Sequence, residues 1–294
     1  MMTHILRQSI VKFCYSFALL TFAFLPIHSL QAAEIITTLP PLSSLVHWLD
    51  PKASVQCLLS SSADPHHFQL TPKQVESIQK ATLLIRSSRD DGQWARLQTS
   101  GITWDIWASQ SSMSHEREKH HEHHHEQGNH AWLSPHDVAL ILPQLADHLI
   151  HVYPNHSQAI RQRLQAADIQ VKHIEKQWQS IAMSLHLHEK GTIMQHPAWL
   201  TLFQDLNIPV WTVLESDKHG QEHGPHVLEN ALQVIQAHPH SLLIADKRHS
   251  QQALLWLQHH HTESQMVILD ALGKSDETWP ELMQRNLKIL QQYL

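Results

Sequence analysis

The stretch IRQRLQAADIQVKHIEKQWQSIAMSL, residues 160–185, is one long amphipathic pattern near the middle of the chain. Its apolar residues recur at alternating spacings of four and three, which places them on one face of an α-helix. These residues are Ile160, Leu164, Ala167, Val171, Ile174, Trp178, Ile181 and Leu185. A helix of this length spans roughly 40 Å and fits either a coiled-coil seam or a strut between two lobes. We favour the strut, because a pattern of strands and helices stands on both sides of it.

Downstream of this helix, four short apolar runs alternate with helical patterns. The predicted strands are TIM (192–194), PVWTVL (209–214), SLLIAD (241–246) and QMVILD (265–270), and the predicted helices start at Pro197, Pro225, Ser250 and Asp276. Such alternation is typical of a parallel sheet covered by helices. In lobes of this kind, ligands bind beyond the carboxyl ends of the strands. Two polar residues, His196 and Asp270, occupy that position, and we expect both on the binding side of the sheet.

Upstream of the helix the same alternation occurs. The predicted strands cover residues 34–38, 54–59, 82–86 and 102–108, and the predicted helices cover 41–49 and 71–79. The second of these helices has Thr71 as its N-cap and Pro72 at its first position. We therefore predict an α/β fold of two Rossmann-like, parallel-sheet lobes joined by a long rigid helix. The N-terminal lobe covers residues 34–156, the linking helix 157–187 and the C-terminal lobe 188–294.

Histidine is the unusual feature of the composition. The 294-residue chain contains 29 histidines, against 21 lysines and arginines together. Neutral imidazole is a common ligand of zinc and other borderline metal ions, so the excess points towards metal binding. We expect no binding of nucleic acid, because the formal net charge is -6 and there is no basic stripe to neutralise phosphates.

The first 33 residues have the pattern of a secretory signal peptide. Arg7 and Lys12 supply positive charge, the apolar stretch 13–26 follows, and the small residues Ala32 and Ala33 offer a cleavage site. The apolar stretch is short for a transmembrane helix, which needs about 20 residues. We expect cleavage of the signal peptide, export, and no direct insertion into the membrane afterwards. An uncleaved membrane anchor is the alternative.

Four short segments place a histidine or an aspartate where a strand ends or a helix begins. They are DPHHFQLTP (64–72), HAWLSP (130–135), HPAW (196–199) and LDALG (269–273), and they contain His66, His130, His196 and Asp270. Each segment alone has a plain structural explanation, such as a surface histidine pair or a capping polar group. In the second segment, Ser134 and Pro135 predict the start of a helix. Trp132 and Leu133 are expected to anchor His130 in the core.

In this order and with these spacings, the four segments resemble those of the ZnuA-like zinc-binding receptors of bacterial metal ABC importers. The resemblance covers nearly all of the chain after residue 33. It aligns the first ligand position with His66 rather than His67, and the other positions with His130, His196 and Asp270. The LDALG segment departs from the family's I-D-P-L-G pattern, because alanine stands where the family has proline.

The resemblance implies a receptor and not an enzyme. It implies that Zn2+ binds to His66 and His130 of the first lobe and to His196 of the second, with Asp270 or water as the fourth ligand. It also implies a periplasmic protein, expected to be a monomer, whose partner is the membrane permease of a zinc ABC importer. Imidazole at the third position favours zinc, since the family's manganese receptors are expected to have a carboxylate there.

A histidine-rich insertion, residues 111–129, interrupts the first lobe directly before His130. It contains a single apolar residue, Met113, so it cannot contribute to a core and is predicted to be solvated. Its histidines are candidate ligands of secondary, low-affinity metal sites: His115, His120, His121, His123, His124 and His125. We favour metal collection over a solvated spacer, because the insertion stands next to His130. The run HEHHH (121–125) formally matches a zinc-protease motif, but it lacks the apolar helix face that this motif requires.

Two other functions fit parts of the sequence. A secreted zinc-dependent hydrolase would need an open coordination position and a general base such as glutamate, and the four motif segments contain no glutamate. A histidine-rich periplasmic buffer or chaperone would bind metal without a transporter partner. Zinc-dependent hydrolysis would support the first alternative, and direct binding to a permease would exclude the second.

Overall fold

Two four-stranded parallel sheets, one in each half of the chain, form the framework of the protein. The computed structural model describes residues 34–60, 63, 68–87, 96–107, 130–215 and 225–294. The predicted signal peptide (1–33), His66 and the histidine-rich insertion (111–129) lie outside these ranges. Among the residues that the structure describes, no helix combines the length and the apolar character needed to cross a membrane.

The first lobe is a parallel sheet whose strands alternate with helices. Its strands are β1 (Ile35–Thr37), β2 (Val55–Cys57), β3 (Leu83–Arg86) and β4 (Ile102–Asp105), in the order β2-β1-β3-β4. Its helices are α1 (Pro40–Leu49), α2 (Pro72–Lys80) and α3 (Pro135–Val152). Thr71 caps α2 as predicted, because its side chain accepts a hydrogen bond from the backbone N–H of Gln74. The fourth strand is shorter than predicted, since the residues after Asp105 form a turn.

The predicted long helix, α4, runs over Ser157–Ser184 and is 28 residues long, or about 42 Å. Its buried residues include most of the predicted apolar face: Ile160, Ala167, Val171, Ile174, Trp178 and Ile181. This face packs against α1 and α3 and against the C-terminal helix of the chain. The helix ends before the predicted residue 187, because His186 has a left-handed φ of 55° that a right-handed helix does not accommodate. The prediction of a strut between two lobes is confirmed.

The second lobe repeats the strand order of the first. Its strands are β5 (Thr192–Met194), β6 (Val210–Val213), β7 (Leu242–Asp246) and β8 (Met266–Leu269), in the order β6-β5-β7-β8. Its helices are α5 (Leu187–Lys190), α6 (Leu200–Asp205), α7 (Pro225–Ala237), α8 (Gln252–His260) and α9 (Trp279–Gln291). The last helix begins later than predicted, because Thr278 and Glu281 form a capping box at its start. In each lobe the strand order reverses between the first and third strands, which creates a crevice at their carboxyl ends.

A continuous hydrophobic core joins the two lobes through α4. It includes Leu84 from the first sheet, Trp178 from α4 and Leu269 from the second sheet. Trp48 of α1 stacks on Trp279 of α9 with ring centroids 5.4 Å apart, so helices from the two ends of the chain are packed together. The described residues of both lobes accordingly belong to one compact unit.

Candidate metal centre

Two histidines from opposite lobes meet between the sheets. His130 and His196 are both buried, with 8% and 4% of their surface exposed. Their Nε2 atoms lie 3.3 Å apart, and the two rings are nearly perpendicular, at 83°. Two nitrogens bound to one tetrahedral zinc ion at about 2.0–2.1 Å are separated by about 3.3–3.4 Å. The pair therefore has the spacing of two ligands of a single zinc ion.

The position of His130 is fixed by the residues that follow it. A 3-10 turn, Ala131–Leu133, begins directly after His130, and its Trp132 and Leu133 are buried, as the sequence predicts. Ser134 then caps α3, because its hydroxyl accepts a hydrogen bond from the backbone N–H of Asp137 at 3.2 Å. His130 is thereby held at the entrance to a packed helix.

The position of His196 is fixed by the end of β5. The residue before it, Gln195, is fully buried, and its backbone N–H donates to the carbonyl oxygen of Ile244 in β7 at 2.9 Å. The chain is therefore still held by the sheet one residue before His196. Pro197 then begins a 3-10 turn, where its fixed φ suits the start of a helical segment.

Tryptophan side chains connect the His130 segment to the second lobe. The indole Nε1 of Trp132 donates to the carbonyl oxygen of Ala271 at 2.8 Å, and the Nε1 of Trp279 donates to the carbonyl oxygen of Trp132 at 2.6 Å. The Trp132 ring also contacts the His130 imidazole, with centroids 5.0 Å apart. These contacts set the distance between His130 and the strand ends of the second lobe.

Replacing Trp132 by phenylalanine is expected to destabilise the protein through this connection. The substitution removes the donor to the buried Ala271 carbonyl, and an unsatisfied buried polar group costs about 1–3 kcal/mol. Trp107 is the matched control, since it is also buried and its Nε1 has no hydrogen-bond acceptor among the described residues. Chemical denaturation should show a free energy of unfolding lower for Trp132→Phe than for Trp107→Phe by about that amount. Equal losses would contradict a stabilising role for the hydrogen bond.

Asp270 follows β8 and is 3% exposed, but donors surround its carboxylate. Its Oδ1 accepts hydrogen bonds from the backbone N–H groups of Gly273 at 2.9 Å and Leu272 at 3.3 Å. Its Oδ2 accepts from Lys247 Nζ at 3.3 Å and from an Arg285 guanidinium nitrogen at 3.2 Å. A carboxylate has about four lone-pair positions, so these four donors match its full capacity.

The same surroundings keep Asp270 ionised. Burial acts to raise the pKa of its carboxyl group, but the hydrogen bond from Gly273 and the positive charges of Arg285, Arg248 and Lys247 outweigh burial. The net pKa is therefore lowered. Asp270 is a charged group held in ion pairs within the second lobe.

A pair of titratable side chains lies beside His196. Nδ1 of His249 is 2.7 Å from Oε2 of Glu215, and the two side chains are only 15% and 13% exposed. The His249 ring stacks on the His196 ring, with centroids 4.2 Å apart. One ligand atom from each of His196, Glu215 and His249 lies within 4.8 Å of the others. These three side chains could hold a metal ion.

Of the four predicted ligands, the structure brings His130 and His196 together and describes Asp270, while His66 and the six insertion histidines lie outside the described residues. Sequence reasoning named neither Glu215 nor His249. Glu215 lies two residues beyond the end of β6, and His249 lies three residues beyond the end of β7. The rule that ligands lie beyond the carboxyl ends of parallel strands applies to both residues and is the signal that could have found them.

Known proteins share this fold and part of this sequence. The chain is 21% identical over 189 residues to the zinc-binding protein AdcA of Streptococcus pyogenes serotype M3, an alignment that covers 56% of this chain and only 36% of AdcA. A crystal structure of ZnuA matches 88% of this chain and 98% of its own, with a TM-score of 0.68 and 18% identity. A manganese-bound periplasmic metal-binding protein from Candidatus Liberibacter asiaticus matches 88% and 99%, with a TM-score of 0.68 and 13% identity. The structural matches confirm the predicted two-lobe α/β fold.

The family relationship rests on a match along almost the whole chain. The family model described as ZnuA, zinc-uptake complex component A periplasmic, covers residues 35–293. That range runs from β1 to the end of the C-terminal lobe and contains all four motif segments. The resemblance drawn from the motifs is confirmed, and this chain belongs to the ZnuA family.

Proposed function

We propose that this protein is the high-affinity receptor of a zinc ABC importer, which captures Zn2+ in the periplasm and delivers it to the membrane permease. The observation that carries the proposal is the buried pair of imidazoles, His130 from one lobe and His196 from the other, with Nε2 atoms 3.3 Å apart. A metal ion bound by both residues bridges the lobes. The bound ion then fixes the relative position of the two lobes, and a permease can recognise that arrangement.

The proposed cargo is zinc because the ligands are imidazoles. Imidazole nitrogen suits zinc, copper and nickel, whereas carboxylate and carbonyl oxygens suit magnesium, calcium and manganese. His66 is the proposed third nitrogen ligand, on the basis of the DPHHFQLTP segment. Asp270, at the carboxyl end of β8, or a water molecule is the proposed fourth ligand.

Binding without catalysis is the proposed role of the centre. A zinc hydrolase needs an open coordination position and a general base. Glu215 is the acidic residue close to His196, but its Oε1 accepts a hydrogen bond from Gln195 Nε2 at 3.0 Å and its Oε2 is bound to His249. Both oxygens are engaged inside the protein, which favours a structural or positioning role over that of a base acting on water.

The same proposal covers export, assembly and the insertion. Residues 1–33 act as a signal peptide, and the mature protein is a monomer. The six histidines of the insertion are proposed to collect zinc weakly, because the insertion has almost no apolar surface to bury and ordering it costs roughly 1–2 kcal/mol of backbone entropy per residue. Weak sites next to His130 raise the local zinc concentration without competing with the central site.

Calorimetric titration of zinc into the purified protein tests this proposal. We expect one tight binding event together with weaker events, and a variant without residues 115–129 should keep the tight event and lose the weaker ones. The variant should load more slowly in stopped-flow experiments at limiting zinc. Deletion of the whole gene should impair growth only when a chelator makes zinc scarce.

Two results would count against the proposal. Absence of any tight event in the full protein would remove the receptor function. Equal loading rates with and without residues 115–129 would show that the insertion is a spacer, while leaving the central site intact.

A further inference from the structure

The strand order of the second lobe decides which loops lie beside His196. His196 follows β5, and β5 pairs with β6 on one side and with β7 on the other. Glu215 lies two residues beyond β6, and His249 lies three residues beyond β7. Because the carboxyl ends of parallel strands meet at one edge of a sheet, the loops of Glu215 and His249 flank the loop of His196. Side chains from both flanking loops can therefore act on His196 from within its own lobe.

One face of the His196 ring lies against the ring of His249. The two rings stack at 22° with centroids 4.2 Å apart, while Nε2 of His196 is directed at His130, 3.3 Å from its Nε2. The χ2 angle of a histidine is broadly distributed, so the orientation of an imidazole depends on its neighbours. A flat ring stacked at this distance blocks rotation of His196 towards it. His249 therefore restricts the direction in which the Nε2 of His196 points.

His249 is itself fixed through its backbone and through its side chain. Its backbone N–H donates to the carbonyl oxygen of Asp246 at 3.3 Å, across the turn that follows β7. The Asp246 carboxylate accepts a hydrogen bond from the backbone N–H of Arg248 in the same turn, at 2.9 Å. On the side chain, Nδ1 of His249 lies 2.7 Å from Oε2 of Glu215. The ring that stacks on His196 is therefore held at both ends.

Glu215 connects this arrangement back to the strand that ends at His196. Its Oε1 accepts a hydrogen bond from Nε2 of Gln195 at 3.0 Å, and its backbone N–H donates to the carbonyl oxygen of Gln195 at 2.7 Å. Gln195 is fully buried and directly precedes His196 in the chain. The contacts thus form a closed path from Gln195 through Glu215 and His249 to His196. Each member of such a path limits the movement of the next.

We propose that His249 and Glu215 are positioning residues of the zinc centre. His249 holds the His196 ring with its Nε2 facing across the crevice, and Glu215 holds His249 in place. This inference rests on the proposed zinc-receptor function and leaves its ligands unchanged, since neither positioning residue binds the metal. A ligand that is already oriented loses less freedom when the ion binds. Residues that orient metal ligands contribute to metal affinity for this reason.

The test compares variants of the full chain loaded with less than one equivalent of zinc, so that the tightest site fills first. His249→Ala removes the stacked ring, and His249→Phe keeps a flat ring without a metal-binding nitrogen. Glu215→Ala removes the carboxylate, alone and combined with His249→Ala. The control is His259→Ala, which changes an exposed histidine of α8 in the same lobe. Competition with a chromophoric chelator measures affinity, and X-ray absorption at the zinc edge counts bound imidazoles.

We expect the stacked ring, and not its nitrogen atoms, to determine the affinity. His249→Ala should weaken zinc binding by about tenfold with an unchanged number of bound imidazoles, whereas His249→Phe should stay within about threefold of the wild type. Glu215→Ala should weaken binding by about tenfold. The double variant should bind no more weakly than His249→Ala alone, because Glu215 acts through His249. His259→Ala should bind as the wild type does.

Spectra of the metal-free protein provide a second measurement. With histidine labelled by nitrogen-15, the wild type should show one set of His196 ring resonances, and His249→Ala should show several sets or exchange broadening. Thermal unfolding of each metal-free variant shows whether the fold is retained. If His249→Phe does not fold, because it leaves the Glu215 charge without its partner, the same ring is introduced together with Glu215→Gln.

The results separate this inference from the function on which it rests. Unchanged affinity in His249→Ala would overturn the inference, as would an equal loss in His249→Ala and His249→Phe, and a missing imidazole in both would make His249 a ligand. Losses that multiply in the double variant would show that Glu215 does not act through His249. Absence of tight zinc binding in the wild type would instead overturn the receptor function, while the metal-free spectra would still test the positioning of His196.

Discussion

Replacing His196 by alanine is expected to weaken zinc binding by about a hundredfold to a thousandfold. Four-ligand zinc sites bind with about 10–16 kcal/mol, so one ligand contributes about 2.5–4 kcal/mol, and about 1.4 kcal/mol corresponds to a factor of ten. His196 is 4% exposed and supplies the second lobe's half of the bridging pair. In the proposed site, its loss removes one ligand and the contact through which zinc would hold the lobes together. Chelator competition at pH 7 measures the change directly.

Neighbouring histidines provide matched controls for this experiment. His130→Ala should weaken binding as severely as His196→Ala, because its Nε2 lies 3.3 Å from that of His196. The DPHHFQLTP segment predicts that His66→Ala is equally damaging and that His67→Ala has little effect. If His67→Ala is the more harmful of the two, the alignment of that segment is wrong by one residue. Full affinity in His196→Ala would exclude a site between the lobes.

The helices and strands could be predicted from the sequence because each leaves a periodic pattern of apolar residues. The alternating apolar spacing from Ile160 to Leu185 predicts a helix, and α4 buries that same face over Ser157–Ser184. Each run in the second half corresponds to a strand within one residue at either end, such as TIM at Thr192–Met194. Helix starts were predicted less well. The sequence predicts that the last helix starts at Asp276, but α9 begins at Trp279, because Thr278 and Glu281 form a capping box there. The order of the strands in each sheet could not be predicted, because it depends on contacts between segments distant in sequence and not on any local pattern.

The candidate site was accessible only where a motif or a strand end marked it. His130 and His196 stand in recognisable segments, and the structure brings them together. Glu215 and His249 stand in no such segment. Both follow the carboxyl ends of strands, but only the pairing of β6 and β7 with β5 places them beside His196, so their proximity depends on strands distant in sequence.

The surroundings of Asp270 were hidden for the same physical reason. Lys247 comes from the loop after β7 and Arg285 from α9, and both reach the carboxylate only in the folded lobe. The LDALG segment by itself describes an acidic residue at a strand end. Whether such a carboxylate is available to a metal ion depends on how many donors the fold directs at it, and the segment contains no information on that number.

Zinc affinity is expected to fall steeply as the pH decreases from 7 to 5. Imidazole must be neutral to bind metal, so protons compete with zinc at every histidine ligand. An imidazole with the reference pKa of about 6.5 is about three-quarters neutral at pH 7 and about 3% neutral at pH 5. Each ligand then costs a factor of about 25 over this range, and three ligands together about 10^4. Protonation stabilises the metal-free form, so the loss grows as the pH falls through the imidazole range and is regained as it rises.

The slope of the zinc association constant against pH, on a logarithmic scale, also indicates how many histidines bind the metal. Well below the reference imidazole pKa, the logarithm of the association constant should fall by about one per pH unit for each imidazole ligand. Asp270 adds nothing to this slope, because its pKa is lowered from 3.8 and it stays ionised at pH 5 and at pH 7. A slope near three therefore indicates that three imidazoles bind the metal, as proposed for His66, His130 and His196. Chelator competition at several pH values, corrected for the chelator's own protonation, measures the slope, and an affinity that does not change between pH 7 and pH 5 would contradict an imidazole site altogether.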